Sequence, residues 1–472
     1  AGIVHADQGN LQRAANLYVA AIDADPSGFD AYYRLAQLLA KDKQPEMAIT
    51  IYYRLLKAQA AGGGFTSRAL TLLMNKLFSS NRCAEAVLFY RELRSIEKRV
   101  SFLKADRLAS NLVECGEVSE AIDFIRSVSQ GREDIDKLKY VKLLSSLIKE
   151  QAAIDDAQKH VNSAMENKGL VDGAEVAINI APENRKWAFM NEIASVYAFH
   201  GYSDKAELYL RQSIALRPTT RSLLELAEQV EGSNIAALDI DQLTELVRLS
   251  ESVLKTTPIV TDDLPTNSSI PVFKQLGLVR NKVGTSRKLA WQRIVRVLAF
   301  LGNWEEAKKQ CEIWLNESPQ DIVALSSLIE IYMKGIKNSM HTAVGYLQKA
   351  TEQLMGQDMV SNALVKSDID TLLQVALDVG TSDINAQMYE RGIESLHLAR
   401  SMASRAGVEN HEVYVRSSEL EAHAYFLQGD LEKAEKILLE FFYRETGNGH
   451  IKRKLTFRGL RLLGDVYKQR AD

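Results

Sequence analysis

Proline and glycine are scarce in this chain, at 8 and 26 of 472 residues. That scarcity excludes collagen-like and low-complexity classes and suits a mostly helical protein. Cysteine is rarer still. Cys83, Cys115 and Cys311 cannot all pair with one another, which excludes a disulfide-dense scaffold. The expectation is three reduced, mostly buried thiols in a reducing compartment, with a Cys83–Cys115 bridge as the alternative.

Sequence features that would carry chemistry are missing as well. The eight histidines are scattered and form no His-x3-His pair, and no Cys-x2-Cys pair occurs, so no metal site is expected. Gly62, Gly63 and Gly64 are not followed by Lys and Ser or Thr, and no strand pattern precedes them, so they are no phosphate loop. No Ser, Cys or Asp sits in a recognisable nucleophile elbow. The expectation is a protein without cofactor and without catalysis. No run of about eighteen apolar residues occurs, which excludes a membrane-spanning helix by pattern. Neither charge sign is in excess, with a net charge of −3, and 46% apolar against 25% charged residues is ordinary for a folded chain.

What the chain does have is a repeated spacing. Gly is followed five residues on by Ala, then by an apolar residue at +4 and a small or apolar one three further. Copies run Gly9-Ala14-Tyr18-Ala21, Gly116-Ala121-Ile125-Val128, Gly201-Ala206-Leu210-Ser213, Gly302-Ala307-Cys311-Trp314 and Gly429-Ala434-Leu438-Phe441. Looser copies fall on Ala48, Ala86, Ala157 and Ala343, two of them with Asn81 or Asn338 in the Gly place. From Ala14 through Ala48, Ala86 and Ala121 to Ala157 the steps are 34, 38, 35 and 36 residues. Pro26, Pro218 and Pro319 close three copies. A period in this range marks a helical-hairpin repeat.

Ala, +4 and +7 share one helix face. The small Ala admits a neighbouring helix closely and the larger residues fill the groove beside it. Gly before the Ala suits the left-handed residue that ends a helix. Counting back finds the first helix of each hairpin, with large–small pairs at Leu35-Ala36, Leu108-Ala109, Leu144-Ser145 and Ile193-Ala194.

With these features the chain resembles the tetratricopeptide repeat, most clearly over residues 31–55, 187–218, 291–319 and 421–441. The resemblance implies an all-α, right-handed superhelical solenoid of about ten to eleven hairpins. It also implies a protein–protein interaction role. The Lys/Asn carboxylate clamp of the chaperone-binding members cannot be placed, because Arg34 stands where an Asn is expected. The organisation reads as an array over 1–165 whose first repeat is truncated, divergently spaced repeats over 166–255, a second array over 287–449 and a capping helix over 450–472. The first repeat begins without its first helix, so the chain is expected to be a portion of something longer. Residues 256–286 hold Pro258, Pro265 and Pro271 and read as an inserted, basic loop.

Charge is segregated. Lys274, Arg280, Lys282, Arg287 and Lys288 fall in a stretch with no acid, and Lys452, Arg453, Lys454, Arg458 and Arg461 form a second basic run. An acidic stretch holds Glu225, Glu228, Asp239, Asp241 and Glu245. Helical phase places Tyr33, Arg34, Gln37, Asn75, Arg107, Asn191, Gln292, Arg293, Arg296, Arg416 and His423 along a partner-binding groove. Arg in such a groove matches carboxylates. The function expected is a non-enzymatic scaffold or adaptor in a larger assembly, binding an extended or acidic protein segment. The alternatives are an RNA-binding helical-repeat protein and a regulatory array joined to an enzyme or membrane domain. Nucleic acid fits poorly, because aromatics are not interleaved with the basic residues. The compartment expected is the cytoplasm, with the bacterial periplasm or nucleus as alternatives.

Overall fold

The computed structural model describes residues 2, 5, 10–26, 28–61, 64–96, 105–129, 136–232, 234–258, 271–319, 321–336, 340–355, 363–405, 412–442 and 456–471. Among them every regular element is an α- or 3-10 helix. The chain divides into two compact units: Ala1–Gly232 with Ser252–Lys288, and Ser233–Glu251 with Leu289–Asp472.

The N-terminal unit opens with α1 (Leu11–Ala24), which packs on α2 (Phe29–Lys41). Helix α2 pairs with α3 (Pro45–Ala61), α4 (Ser67–Ser79) with α5 (Cys83–Ile96), and α6 (Ala105–Glu114) with α7 (Val118–Ser129). After α8 (Asp136–Glu166) and the short α9 (Val176–Ile180), α10 (Lys186–Phe199) pairs with α11 (Ser203–Leu216), and α12 (Thr220–Glu231) follows. Helices α13 (Ile240–Thr256) and α14 (Pro271–Phe300) each contribute residues to both units. The C-terminal unit continues with α15 (Trp304–Glu317), α16 (Ile322–Lys334) paired with α17 (Met340–Met355), α18 (Ala363–Asn385) with α19 (Tyr389–Arg405), and α20 (Glu412–Gln428) with α21 (Leu431–Phe442). Helix α22 (Phe457–Ala471) packs on α21 and α20.

The repeat spacing has the physical basis read from it. All nine Ala anchors, from Ala14 to Ala434, have 0% exposure. At Gly116, Gly201, Gly302 and Gly429 φ lies between 74° and 97°. Each turn closes with the same pair of backbone bonds. At Gly201, its N–H reaches the Ala198 carbonyl at 3.0 Å and the Tyr202 N–H reaches Tyr197 at 2.9 Å. These bonds satisfy carbonyls that the helix end would leave open. Asn81 does the same at φ 56°. Gly9 and Asn338 lie outside the described residues.

Three expectations change. First, the hairpin expected around Leu144-Ser145 and Ala157 is one continuous helix, α8, of 31 residues. No Gly, Pro or Asn lies between residues 136 and 161 to turn the chain. Second, residues 271–286 are no loop: they begin α14, whose 30 residues run through to Phe300. Pro271 occupies the first helical position, where its missing N–H costs nothing. Val272, Phe273 and Leu276 join the core formed by α2 to α8, and Phe273 meets Phe65 edge to face at 5.6 Å. Residues 259–270 of that expected loop lie outside the described residues. Third, Cys83 and Cys115 form a disulfide. Stacking of adjacent hairpins brings the start of α5 and the turn after α6 to a Cα separation of 5.3 Å, within disulfide range. Cys311 remains a buried free thiol.

Candidate peptide-binding pocket

The expected groove residues fall in separate places. In the N-terminal unit, Arg34 and Gln37 are exposed on α2 and Tyr33 is half-buried; the Gln37 amide donates to the Tyr33 hydroxyl at 2.5 Å. The Tyr33 ring stacks on Phe29, and the Arg68 guanidinium lies 4.3 Å from the Phe29 ring centre. Asn75 on α4 and Arg107 on α6 are also exposed. Asn191 is a correction: at 3% exposure it is buried on α10, so it presents nothing to a partner. Its position falls among Phe189, Ile193 and Ala194, which bury the same helix.

The basic stretch on α14 also differs from an exposed patch. Arg280 and Arg287 are 5% and 8% exposed. Arg287 donates to the carbonyls of Leu254 and Thr257, at 2.8 and 2.5 Å, closing the end of α13. Arg280 approaches Glu85 at 3.7 Å. Both serve the fold because their helix is packed rather than looped out. Lys274 and Lys282 are exposed and Lys288 is half-buried. Further along the same helix, Gln292 and Arg296 are exposed and Arg293 is half-buried. Lys452, Arg453 and Lys454 lie outside the described residues; Arg458 and Arg461 are exposed on α22.

In the C-terminal unit, three expected residues do come together. Arg416 and His423, two turns apart on α20, line a pocket of 180 Å³ with Arg458 of α22. Thr381, Ile384 and Asn385 of α18 and Leu420 and Leu462 complete the wall. One carboxylate, Glu419, also lines it and is 6% exposed. That carboxylate is already engaged: it accepts from the Thr456 backbone N–H at 2.7 Å and from the Thr456 hydroxyl at 2.8 Å. The Thr456 hydroxyl also accepts from the Gly459 N–H at 3.4 Å, capping α22, so Glu419 ties the start of α22 to α20. Among the described residues Arg416 and Arg458 form no ion pair. Burial, and then the nearby Arg458 charge, hold His423 below the ordinary imidazole value of 6.5. Two arginines against the single carboxylate of Glu419 leave the pocket with an excess of positive charge, which suits an incoming oxyanion.

The neighbouring buried acid is of another kind. Glu421, 1% exposed, is bound by His397 at 2.8 Å and Arg400 at 2.7 Å and so ties α19 to α20. Helical phase at the level of sequence separates Glu419 and Glu421 from solvent poorly, because their partners come from residues 37 and 21 to 24 positions away.

Successive close-packed helical hairpins, with no strand among the described residues, define a helical-repeat fold. Residues 1–64 match the family model described as tetratricopeptide repeat. Residues 1–64 thus carry the tetratricopeptide repeat, and the same turn and Ala register recurs among the described residues of both units. No curated protein matches it. Among solved structures it is similar to the APC/C hetero-tetramer Cut9–Hcn1, at 13% identity over 99% of this chain and 82% of that chain, with a TM-score of 0.32. It is also similar to the TPR domain of P58(IPK), at 13% identity over 91% of this chain and 96% of that chain, with a TM-score of 0.25. Among the described residues no helix is long and apolar enough to cross a membrane.

Proposed function

We propose that this protein is a non-enzymatic scaffold or adaptor that binds an extended acidic segment of a partner protein. The observation that carries this reading is the pocket in which Arg416, His423 and Arg458 converge while Glu419 is held by Thr456. Its volume of 180 Å³ suits one or two side chains, so it reads a carboxylate within a longer contact. Arg34, Gln37, Asn75 and Arg107 in the N-terminal unit supply exposed polar surface for further contacts, with Tyr33 half-buried beside them; Gln292 and Arg296, with half-buried Arg293, do so on the part of α14 in the C-terminal unit. The Cys83–Cys115 bridge favours an oxidising compartment such as the bacterial periplasm over the cytoplasm.

The test is capture of native partners by the wild type and by the Arg416→Glu/Arg458→Glu variant, followed by the affinity of the recovered partner for each. Charge reversal at these exposed positions should leave the circular dichroism spectrum alone and weaken binding by about 2 kcal/mol or more. Equal affinity for both proteins overturns the assignment of this pocket.

A further inference from the structure

The N-terminal unit holds a larger cleft, of 940 Å³, which none of the expected groove residues lines. Its walls come from the turn before α5, the turn after α6, the starts of α10 and α12, the end of α13 and the middle of α14. Pro218, Pro258, Trp187, Leu224, Val279 and Val283 give it apolar surface. Three carboxylates line it and each is engaged. Glu85 pairs with Arg82 at 2.6 Å, Glu225 pairs with Arg221 at 2.7 Å, and Glu114 accepts from the Ser110 hydroxyl at 3.4 Å.

Four further cations line the cleft: Arg185, Arg217, Lys255 and Lys282. Among the described residues none of them forms an ion pair. The Arg217 guanidinium lies 5.1 Å from the Trp187 ring centre, and Arg185 donates to the Gly116 carbonyl at 3.1 Å. Both are thereby held in place without a direct ion pair among the described residues. Burial is the main cause lowering the pKa of Arg185; Glu150 and Glu117 oppose the shift, and Arg217 adds to it. Cations collected around an apolar floor cost free energy that an anion with apolar neighbours would offset.

We propose that this cleft binds an acidic protein segment in which carboxylates alternate with apolar side chains. It adds a second contact to the scaffold reading and does not depend on the Arg416 pocket, which lies in the other unit. A polyphosphate fits less well, because the threonine hydroxyls and that of Ser286 are engaged. Thr219 and Ser222 cap α12, Thr220 meets Thr257 at 2.9 Å, and Thr256 and Ser286 bond to backbone carbonyls. Single-stranded nucleic acid fits less well again, since the one aromatic side chain, Trp187, already carries Arg217.

The test is fluorescence anisotropy with a short fluorescein-labelled peptide of alternating Glu and Leu. It is run on the wild type and in an Arg416→Gln/Arg458→Gln background, which removes the C-terminal pocket from the measurement. The peptide should bind in both backgrounds, and its Gln-for-Glu analogue should not. The Arg185→Gln/Arg217→Gln variant and the Lys255→Glu/Lys282→Glu variant should each weaken binding about tenfold or more. Lys255 and Lys282 are exposed, so the second variant keeps the test valid if the first perturbs packing. Affinity unchanged by both variants, or equal for the Gln analogue, overturns the proposal. So does tight binding of inositol hexakisphosphate or oligouridylate with none of the peptide. Peptide binding that vanishes only in the Arg416→Gln/Arg458→Gln background also overturns it, while leaving the C-terminal pocket standing.

Discussion

The guanidinium of Arg280 lies over the ring of Tyr53, 4.8 Å from its centre. The Tyr53 hydroxyl donates to Glu85, which also takes Arg82 and faces Arg280. Tyr53, Glu85, Arg82 and Arg280 are 2%, 3%, 8% and 5% exposed. Helix α14 is thus joined to α3 and α5 through a buried charge network as well as through Val272, Phe273 and Leu276. Burial, with the Glu85 charge next, pushes the Tyr53 phenol far above its ordinary value, so it stays a hydrogen-bond donor throughout the working pH range.

Removing Arg280 leaves Glu85 buried beside Arg82 with one cation fewer. Arg280→Ala should destabilise the N-terminal unit by about 3 kcal/mol. Replacing residues 271–286 with a Gly/Ser linker should go further and broaden or abolish cooperative unfolding. Denaturant titration followed by tryptophan fluorescence and circular dichroism checks both, and unchanged midpoints would return this segment to a loop outside the core.

The reach of the sequence can be seen at the turns. Gly116, Gly201, Gly302 and Gly429 announce theirs, because glycine enters the left-handed region without cost, and Asn81 tolerates it. Lys43 and Gln387 adopt φ 59° and 62° with no such signal. The Ala anchors and large–small pairs were legible because each reports a local, one-face pattern. Asn191, Arg280 and Glu85 were not, because their burial depends on partners brought from distant parts of the chain. Prolines 258, 265 and 271 pointed to a loop, yet Pro271 is the start of a helix, where proline fits as well as in a turn. Arg416 and His423 were found by phase on one helix. Arg458 joins them only through the docking of α22, which no spacing encodes.

Gln387 therefore offers a direct gain. Its positive φ costs a side-chain-bearing residue about 1–2 kcal/mol, partly balanced by the greater unfolded-state freedom of glycine. Gln387→Gly should raise the stability of the C-terminal unit by roughly 0.5 kcal/mol. A lower melting temperature for the variant would show that the Gln387 side chain makes a contact worth more than the strain.

The anchors can be tested by overfilling them. Ala206 and Ala307 have no exposed surface. Ala206→Leu and Ala307→Leu should each destabilise by roughly 1–3 kcal/mol. Thermal melts of the two variants check the packing register in one unit apiece, and unaltered melting in both would refute it.

The disulfide makes a chemical prediction. Cys83 and Cys115 are 32 residues apart, so their bond should stabilise by about 2–4 kcal/mol through the loop it closes in the unfolded chain. A thiol reagent applied to the native, oxidised protein should label nothing, because burial pushes the remaining thiol, Cys311, up to about 12. After mild reduction Cys83 and Cys115 should label, and Cys311 only after unfolding. Mass spectrometry of the alkylated peptides reads the order, and labelling of all three cysteines in the oxidised native state would remove the bridge.

The C-terminal pocket predicts a pH dependence with a definite sign. Burial and Arg458 lower the pKa of His423, so below the ordinary value of 6.5 the unfolded chain holds a proton that the folded one resists. Stability contributed at this site is present above that value and falls as pH drops through it. Around the ring the pocket offers Arg458, which opposes protonation, Arg416 a further turn away, and Glu419, whose oxygens accept from Thr456. A bound carboxylate would supply the missing negative charge and raise the pKa of His423, so acidic-partner binding should strengthen as pH falls from neutral to below 6.5. His423→Gln should flatten both trends, making stability less sensitive to acid while removing the acid-side gain in affinity. Denaturant midpoints and partner affinities measured across that window, for wild type and variant, separate the two effects. Parallel pH profiles for the two proteins in the binding assay would place the anion elsewhere than beside His423.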